Sequence, residues 1–91
     1  MTHYEAKMLN TAEGSLAGSY PFDAPDDLLG KPADQVVRAF FEHVDKEILH
    51  EHVDFEMNAA FKSKDGNAVT AMGALILKDD GHLPFLLLIS R

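Results

Sequence analysis

The sequence contains no cysteine, which excludes disulfide bonds, thiolate catalysis and cysteine-ligated zinc or iron–sulfur centres. Basic residues are scarce as well: eight lysines and arginines stand against fifteen aspartates and glutamates, so the formal charge is −7 at pH 7. This acidic balance argues against nucleic acid and anionic membrane as partners. Long apolar runs are also missing, because the longest, Leu83–Ile89, has seven residues and contains Pro84. A helix that spans a bilayer needs about 20 apolar residues.

The residues that are present have the composition of an ordinary globular chain. Of the 91 residues, 46% are apolar and 25% are charged, which argues against disorder and fibrous repeats. The length predicts a single domain over 1–91. A domain this small has a small core, and oligomerisation is a natural way to enlarge it. Residues 1–9 lack the basic start and continuous apolar run of a secretory signal, so we expect a cytoplasmic protein.

Alternating apolar and polar residues predict a β-hairpin over residues 2–20. A polar stretch at 10–14 predicts its turn. The pairs expected on its inner face are Met8 with Leu16, Ala6 with Gly18, and Tyr4 with Tyr20.

Residues 21–31 predict an irregular connector. Two prolines, one glycine and three aspartates in this stretch disfavour both helix and sheet. We expect Phe22, Leu28 and Leu29 to pack against the core, with room for one helical turn at 26–29.

A helix is predicted over residues 32–51. Pro32 suits the first turn because that position has no intrahelical hydrogen bond to donate, and Asp34 places negative charge near the positive end of the helix dipole. Six apolar residues recur at helical spacing within an arc of about 140°: Val36, Val37, Phe40, Phe41, Val44 and Ile48. This stripe is expected to face the core.

Residues 53–91 predict a three-stranded antiparallel meander with three-residue turns at 64–66 and 79–81, each ending in glycine. Turns of this length keep the apolar residues on one face, whereas a slip of one residue would reverse every side chain. The pairs expected in the first hairpin are Phe61–Val69, Ala59–Ala71, Met57–Gly73, Phe55–Leu75 and Val53–Leu77. Those expected in the second are Leu77–Leu83, Leu75–Phe85, Gly73–Leu87 and Ala71–Ile89. The predicted fold is therefore α+β, of order ββαβββ, with one long helix packed on one face of an antiparallel sheet.

The opposite face of the meander also carries apolar residues, and a contiguous apolar patch on an outward face usually marks an interface. The predicted interface residues are Met72, Ala74, Ile76, Leu86 and Leu88. Either the amino-terminal hairpin or the connector folds over them, or a second copy covers them in a two-fold dimer. A ligand cleft between two such sheets is compatible with the dimer.

The histidines provide the remaining candidate chemistry. His43, Glu47 and His50 recur at i, i+4 and i+7 and share one edge of the predicted helix. Imidazole and carboxylate at this spacing are typical of divalent metal sites, although a fourth ligand, such as His52, would be needed. The alternative is a solvated helix edge, with histidine favoured near the carboxyl end by the dipole. No catalytic triad or phosphate-binding loop is present in the sequence.

Two functional hypotheses follow. The first is a small acidic binding or interaction module that acts as a homodimer, has a protein or small-molecule partner, and needs neither enzymatic activity nor a cofactor. The second is a small enzyme or metalloprotein with a divalent metal at His43, Glu47 and His50.

Overall fold

The computed structural model describes residues 1–10, 17–50, 52–76, 78 and 81–91. Five antiparallel strands form one sheet in the order β2-β1-β5-β4-β3, and one helix packs on it, which confirms the α+β class and the ββαβββ order. The elements are β1 (Thr2–Asn10), β2 (Gly18–Ala24), a 3-10 turn (Leu28–Gly30), α1 (Ala33–Val44), a π-helical turn (Asp45–Leu49), β3 (Asp54–Lys62), β4 (Ala68–Ile76) and β5 (His82–Ser90). Within the described residues, no helix is both long and apolar enough to cross a membrane.

The amino-terminal hairpin forms, but its second strand lies further along the chain than predicted. β2 runs to Ala24 and so includes residues assigned to the irregular connector. Tyr4 pairs with Phe22 rather than Tyr20, and Met8 pairs with Gly18 rather than Leu16. The predicted position of Leu16 lies outside the described residues.

The helix is confirmed in its first part and differs at its end. Five residues of the predicted stripe, from Val36 to Val44, are buried. Beyond Val44 the chain continues in π-type geometry, whose i→i+5 hydrogen bonds turn successive side chains through a smaller angle than an α-helix does. Ile48 therefore leaves the stripe and is 37% exposed, contrary to the prediction. His50, in the left-handed region with φ 55°, ends the turn.

The core lies between the stripe of α1 and the inner face of the sheet. Phe41 packs against Phe55 and Phe85, with ring centroids 4.6 Å and 5.1 Å apart. The hydroxyl of buried Tyr4 donates to the carbonyl oxygen of Pro25 at 2.8 Å, so the one polar atom of this side chain is satisfied. The predicted burial of Phe22, Leu28 and Leu29 is confirmed.

The pairing of β3 with β4 follows the prediction only in its first half. Phe55 pairs with Leu75 and Met57 with Gly73, as expected. Asn58 then has no partner, which is a β-bulge. The bulge shifts every later pair: Ala59 pairs with Met72 rather than Ala71, and Phe61 pairs with Thr70 rather than Val69.

The cause of this shift is the length of the first turn. The N–H of Ser63 donates to the carbonyl oxygen of Ala68 at 2.8 Å, so the loop contains four residues, 64–67, instead of three. One extra residue in the loop places the side chains of β3 near the turn on the opposite face of the sheet. The bulge at Asn58 restores the predicted faces for the residues before it. Phe61 consequently points away from the helix and is 64% exposed, so its predicted burial is wrong.

The pairing of β4 with β5 is shifted by two residues. Leu75 pairs with Leu83 rather than Phe85, and Gly73 pairs with Phe85 rather than Leu87. A shift by an even number of residues keeps every side chain on its predicted face. The inward and outward side chains of β4 and β5 therefore agree with the prediction, although the cross-strand pairs differ from it. The last pair before the turn is Ile76 with His82. Of the predicted turn 79–81, residues 79 and 80 lie outside the described residues, as does residue 77 before it.

Gly73 on β4 lies directly beside the backbone of β3. A Cβ atom at this position would overlap the carbonyl oxygen of Glu56. Glycine is therefore required beside the bulge, where a side chain would push the two strands apart.

Candidate functional site

The face of the sheet opposite α1, called the outer face below, carries all five predicted interface residues. Met72, Leu86 and Leu88 are 47%, 40% and 39% exposed, and Ala74 and Ile76 are half-buried. Large apolar side chains on adjacent strands form one continuous surface. The structure thus places the predicted residues together on an open face.

Two further apolar side chains extend this surface to four strands. Leu9 on β1 is 62% exposed, and Phe61 on β3 is 64% exposed. The outward orientation of Leu9 follows from the alternation of β1, since Met8 points inward and its neighbour must point outward. No pattern in the sequence indicates that Phe61 points outward, because its orientation depends on the bulge at Asn58.

On the outer face, side chains that pair across neighbouring strands form rows that run across the sheet. One row runs from β1 to β3 through Leu9, Leu86, Met72 and Ala59, and the next row runs through Lys7, Leu88, Thr70 and Phe61. The first row is wholly apolar. The second has a cation at the β1 end and an aromatic ring at the β3 end.

None of the described residues covers the outer face. The amino-terminal hairpin pairs with β5 through β1 and so widens the sheet. In the connector, Phe22 packs against Phe40 on the helix side, with ring centroids 5.5 Å apart. For the described residues, the alternative in which hairpin or connector folds over the patch is therefore wrong.

Two shallow grooves lie beside the apolar row. The larger, of about 450 Å³, is lined by Leu9, Asn58, Met72, Gly73, Pro84, Phe85 and Leu86. The smaller, of about 310 Å³, is lined by Lys7, Leu9, Thr70, Leu86, Leu87 and Leu88. Leu9 and Leu86 line both grooves, so these side chains form the ridge between them. The outer face is therefore corrugated.

The three residues of the predicted metal site do not come together as a single site in the structure. His43 is half-buried, with its ring 5.7 Å from that of Phe22, whereas Glu47 and His50 are exposed. The π-helical turn between them changes the i, i+4, i+7 alignment that an α-helix would give. In the part of the chain that the structure describes, no three histidine, aspartate or glutamate side chains are placed to hold an ion. Metal binding here stays a prediction.

The structure instead joins His52 to two carboxylates. The His52 Nδ1 lies 3.0 Å from Asp45 at the end of the helix, and its Nε2 lies 2.8 Å from Asp54 on β3. Asp45 also accepts the backbone N–H of Val53 at 3.2 Å. The hydrogen bonds to Asp54 and then to Asp45 raise the pKa of His52, because the imidazolium can donate to both. This cluster links the helix end to the start of β3.

An open polar depression adjoins this cluster. It measures about 460 Å³ and is lined by Glu42, Asp45, Lys46, His50 and His52. The acidic and basic side chains around it are exposed apart from Asp45, so water screens their charges. We assign the cluster a structural part in joining two elements.

Comparison with known proteins adds no assignment to this geometry. No family model matches the chain, and no curated protein or solved structure matches it. The functional interpretation therefore depends on the geometry of the outer face.

Proposed function

We propose that the protein is a binding module that works as a homodimer through its outer face. The observation that carries this proposal is the apolar surface on β1, β5, β4 and β3, which none of the described residues covers. Exposed apolar patches of this extent are typical of interaction sites. A second copy supplies the same residues in return, as a two-fold contact requires.

The size of the outer face supports a stable dimer. β1, β3, β4 and β5 have nine residues each, so the face is about 30 Å long at about 3.4 Å per residue. The five strands together span about 19 Å at about 4.8 Å per interval. The flat area is thus roughly 600 Å², and the corrugated accessible area is larger. Specific interfaces bury about 800 Å² per partner.

The decisive variant is Leu86→Asp, because Leu86 lies between Leu9 and Met72 in the centre of the apolar row. An aspartate there would place an unpaired charge in the interface. The matched control is Ile48→Asp, since Ile48 has nearly the same exposure, 37%, and lies at the helix end.

The measurement is sedimentation of the three proteins at micromolar concentration. We expect the wild type and Ile48→Asp to sediment as dimers and Leu86→Asp as a monomer. A monomeric wild type would contradict the proposal. So would a dimer that survives in Leu86→Asp, because the contact would then lie at a strand edge or elsewhere.

A further inference from the structure

The smaller groove of the outer face runs across the strands. It lies between the row that begins with Leu9 and the row that begins with Lys7. Leu86 and Leu88 form its walls, and the backbone around Leu87 lies at its floor. Its lining runs from Lys7 on β1 to Thr70 on β4, which is two strand intervals or about 10 Å.

The two ends of this groove differ in chemistry. Lys7 stands at the β1 end and forms no ion pair with any residue that the structure describes. Lys31, Lys46, Lys62 and Lys64 likewise form no ion pair with a described residue, so what distinguishes Lys7 is its place at the end of an apolar groove. The middle of the groove is apolar, and the Thr70 hydroxyl stands at the β4 end. The exposed ring of Phe61 continues the row beyond the groove.

We propose that this groove binds a linear carboxylate with an apolar chain, such as a medium-chain fatty acid. The ammonium of Lys7 pairs with the carboxylate, and the chain lies along Leu86 and Leu88 toward Phe61. An extended chain of about ten carbons is about 11 Å long, similar to the groove, because each carbon–carbon bond of about 1.5 Å advances the zigzag by only about 1.25 Å. The charged end fixes the orientation, and the apolar walls supply the contact area.

This inference rests on the proposed function, because the dimer places the groove between two sheets. Protein interiors tolerate few voids larger than a water molecule. Where two corrugated faces meet, each groove must receive either side chains of the other copy or a ligand. An apolar chain in the groove is then shielded from water, and its pairing with Lys7 is strengthened by the lower dielectric.

The test uses decanoate as the probe and 1-decanol as its uncharged counterpart. Binding is followed by the methyl NMR signals of Met72, Leu86 and Leu88 in the wild type and in Lys7→Gln. The control is Lys31→Gln, which removes the same charge at the opposite side of the domain, beside Leu28 and Gln35. We expect decanoate affinity to fall about ten- to a hundredfold in Lys7→Gln, as for loss of a charged hydrogen bond, and to stay unchanged in Lys31→Gln. Decanol affinity should be equal in all three proteins.

Sedimentation of the same samples separates the two proposals. Dimers that show no decanoate shifts at these methyl groups would overturn the ligand site and leave the dimer. Decanoate binding that is indifferent to Lys7→Gln would also overturn it. A monomeric wild type that binds decanoate through Lys7 would uphold the site and contradict the dimer alone.

Discussion

At the scale of single residues, His52 shows how one side chain can join two elements. Its ring lies between Asp45 at the helix end and Asp54 on β3, at 3.0 Å and 2.8 Å. Both ring nitrogens can donate only when the imidazole is protonated. The strength of the link therefore depends on pH.

The pKa of His52 is raised above its ordinary value of 6.5 by the hydrogen bonds to Asp54 and Asp45. A raised folded-state pKa means that the stabilisation is fully present below about pH 6.5 and is lost as the pH rises through the folded-state value. We expect the difference in unfolding free energy between the wild type and His52→Asn to be larger near pH 6 than near pH 9. Urea unfolding at both pH values measures it.

Asp54→Asn provides the control for this pH dependence, because Asp54 is the largest cause of the shift. Its unfolding should depend on pH less than that of the wild type over the same range. The charged and imidazole side chains that share the depression with His52 are retained in every variant; they are Glu42, Lys46 and His50. An NMR titration in which His52 has a pKa at or below 6.5 would contradict the link.

At the scale of elements, the first β-hairpin of the meander contains two irregularities that cancel. The four-residue loop after Ser63 reverses the faces of β3, and the bulge at Asn58 restores them. Only the residues between loop and bulge have orientations opposite to those that strict alternation predicts. Phe61 is therefore on the outer face and Ala60 on the inner face.

The two phenylalanines Phe61 and Phe41 should respond very differently to truncation. Phe61→Ala removes a side chain that is 64% exposed, so we expect a change in unfolding free energy within about 0.5 kcal/mol, as for surface substitutions. Phe41→Ala opens a cavity in the core and should cost about 3 to 5 kcal/mol. Denaturant unfolding of a monomeric background, such as Leu86→Asp, measures both. Equal losses would contradict the observed register.

At the scale of the whole molecule, the sheet has an apolar inner face and an outer face with an apolar centre, and the described residues form one α-helix. α1 covers the inner face, and none of the described residues covers the outer face. A chain of 91 residues gains proportionally more from a second layer than a large domain does, because less of its surface is buried on folding. The proposed dimer is a two-sheet sandwich with a helix on each outside.

Coupling of folding to association makes a further prediction at this scale. If the dimer is the folded form, the melting temperature of the wild type should rise with protein concentration, by mass action. The melting temperature of Leu86→Asp should be independent of concentration. Differential scanning calorimetry over a hundredfold dilution tests both, and a wild type with a constant melting temperature would speak against the dimer.

The sequence by itself determined the fold class, the helix stripe and the inward faces of β1, β4 and β5. These follow from periodicity, because an apolar side chain at every second or every third to fourth position has only one face to bury. It also determined that Met72, Leu86 and Leu88 point outward. An error of two residues in register leaves such assignments unchanged.

The tertiary structure decided what periodicity does not specify. The turn lengths, the bulge at Asn58 and the π-helical turn before His50 depend on how the chain packs, and they set the orientations of Phe61 and Ile48. The docking of β1 against β5 decided that the hairpin widens the sheet instead of covering it. The His52 cluster joins residues from two elements, and the row from Lys7 to Phe61 joins four strands, so both exist only once the chain is folded.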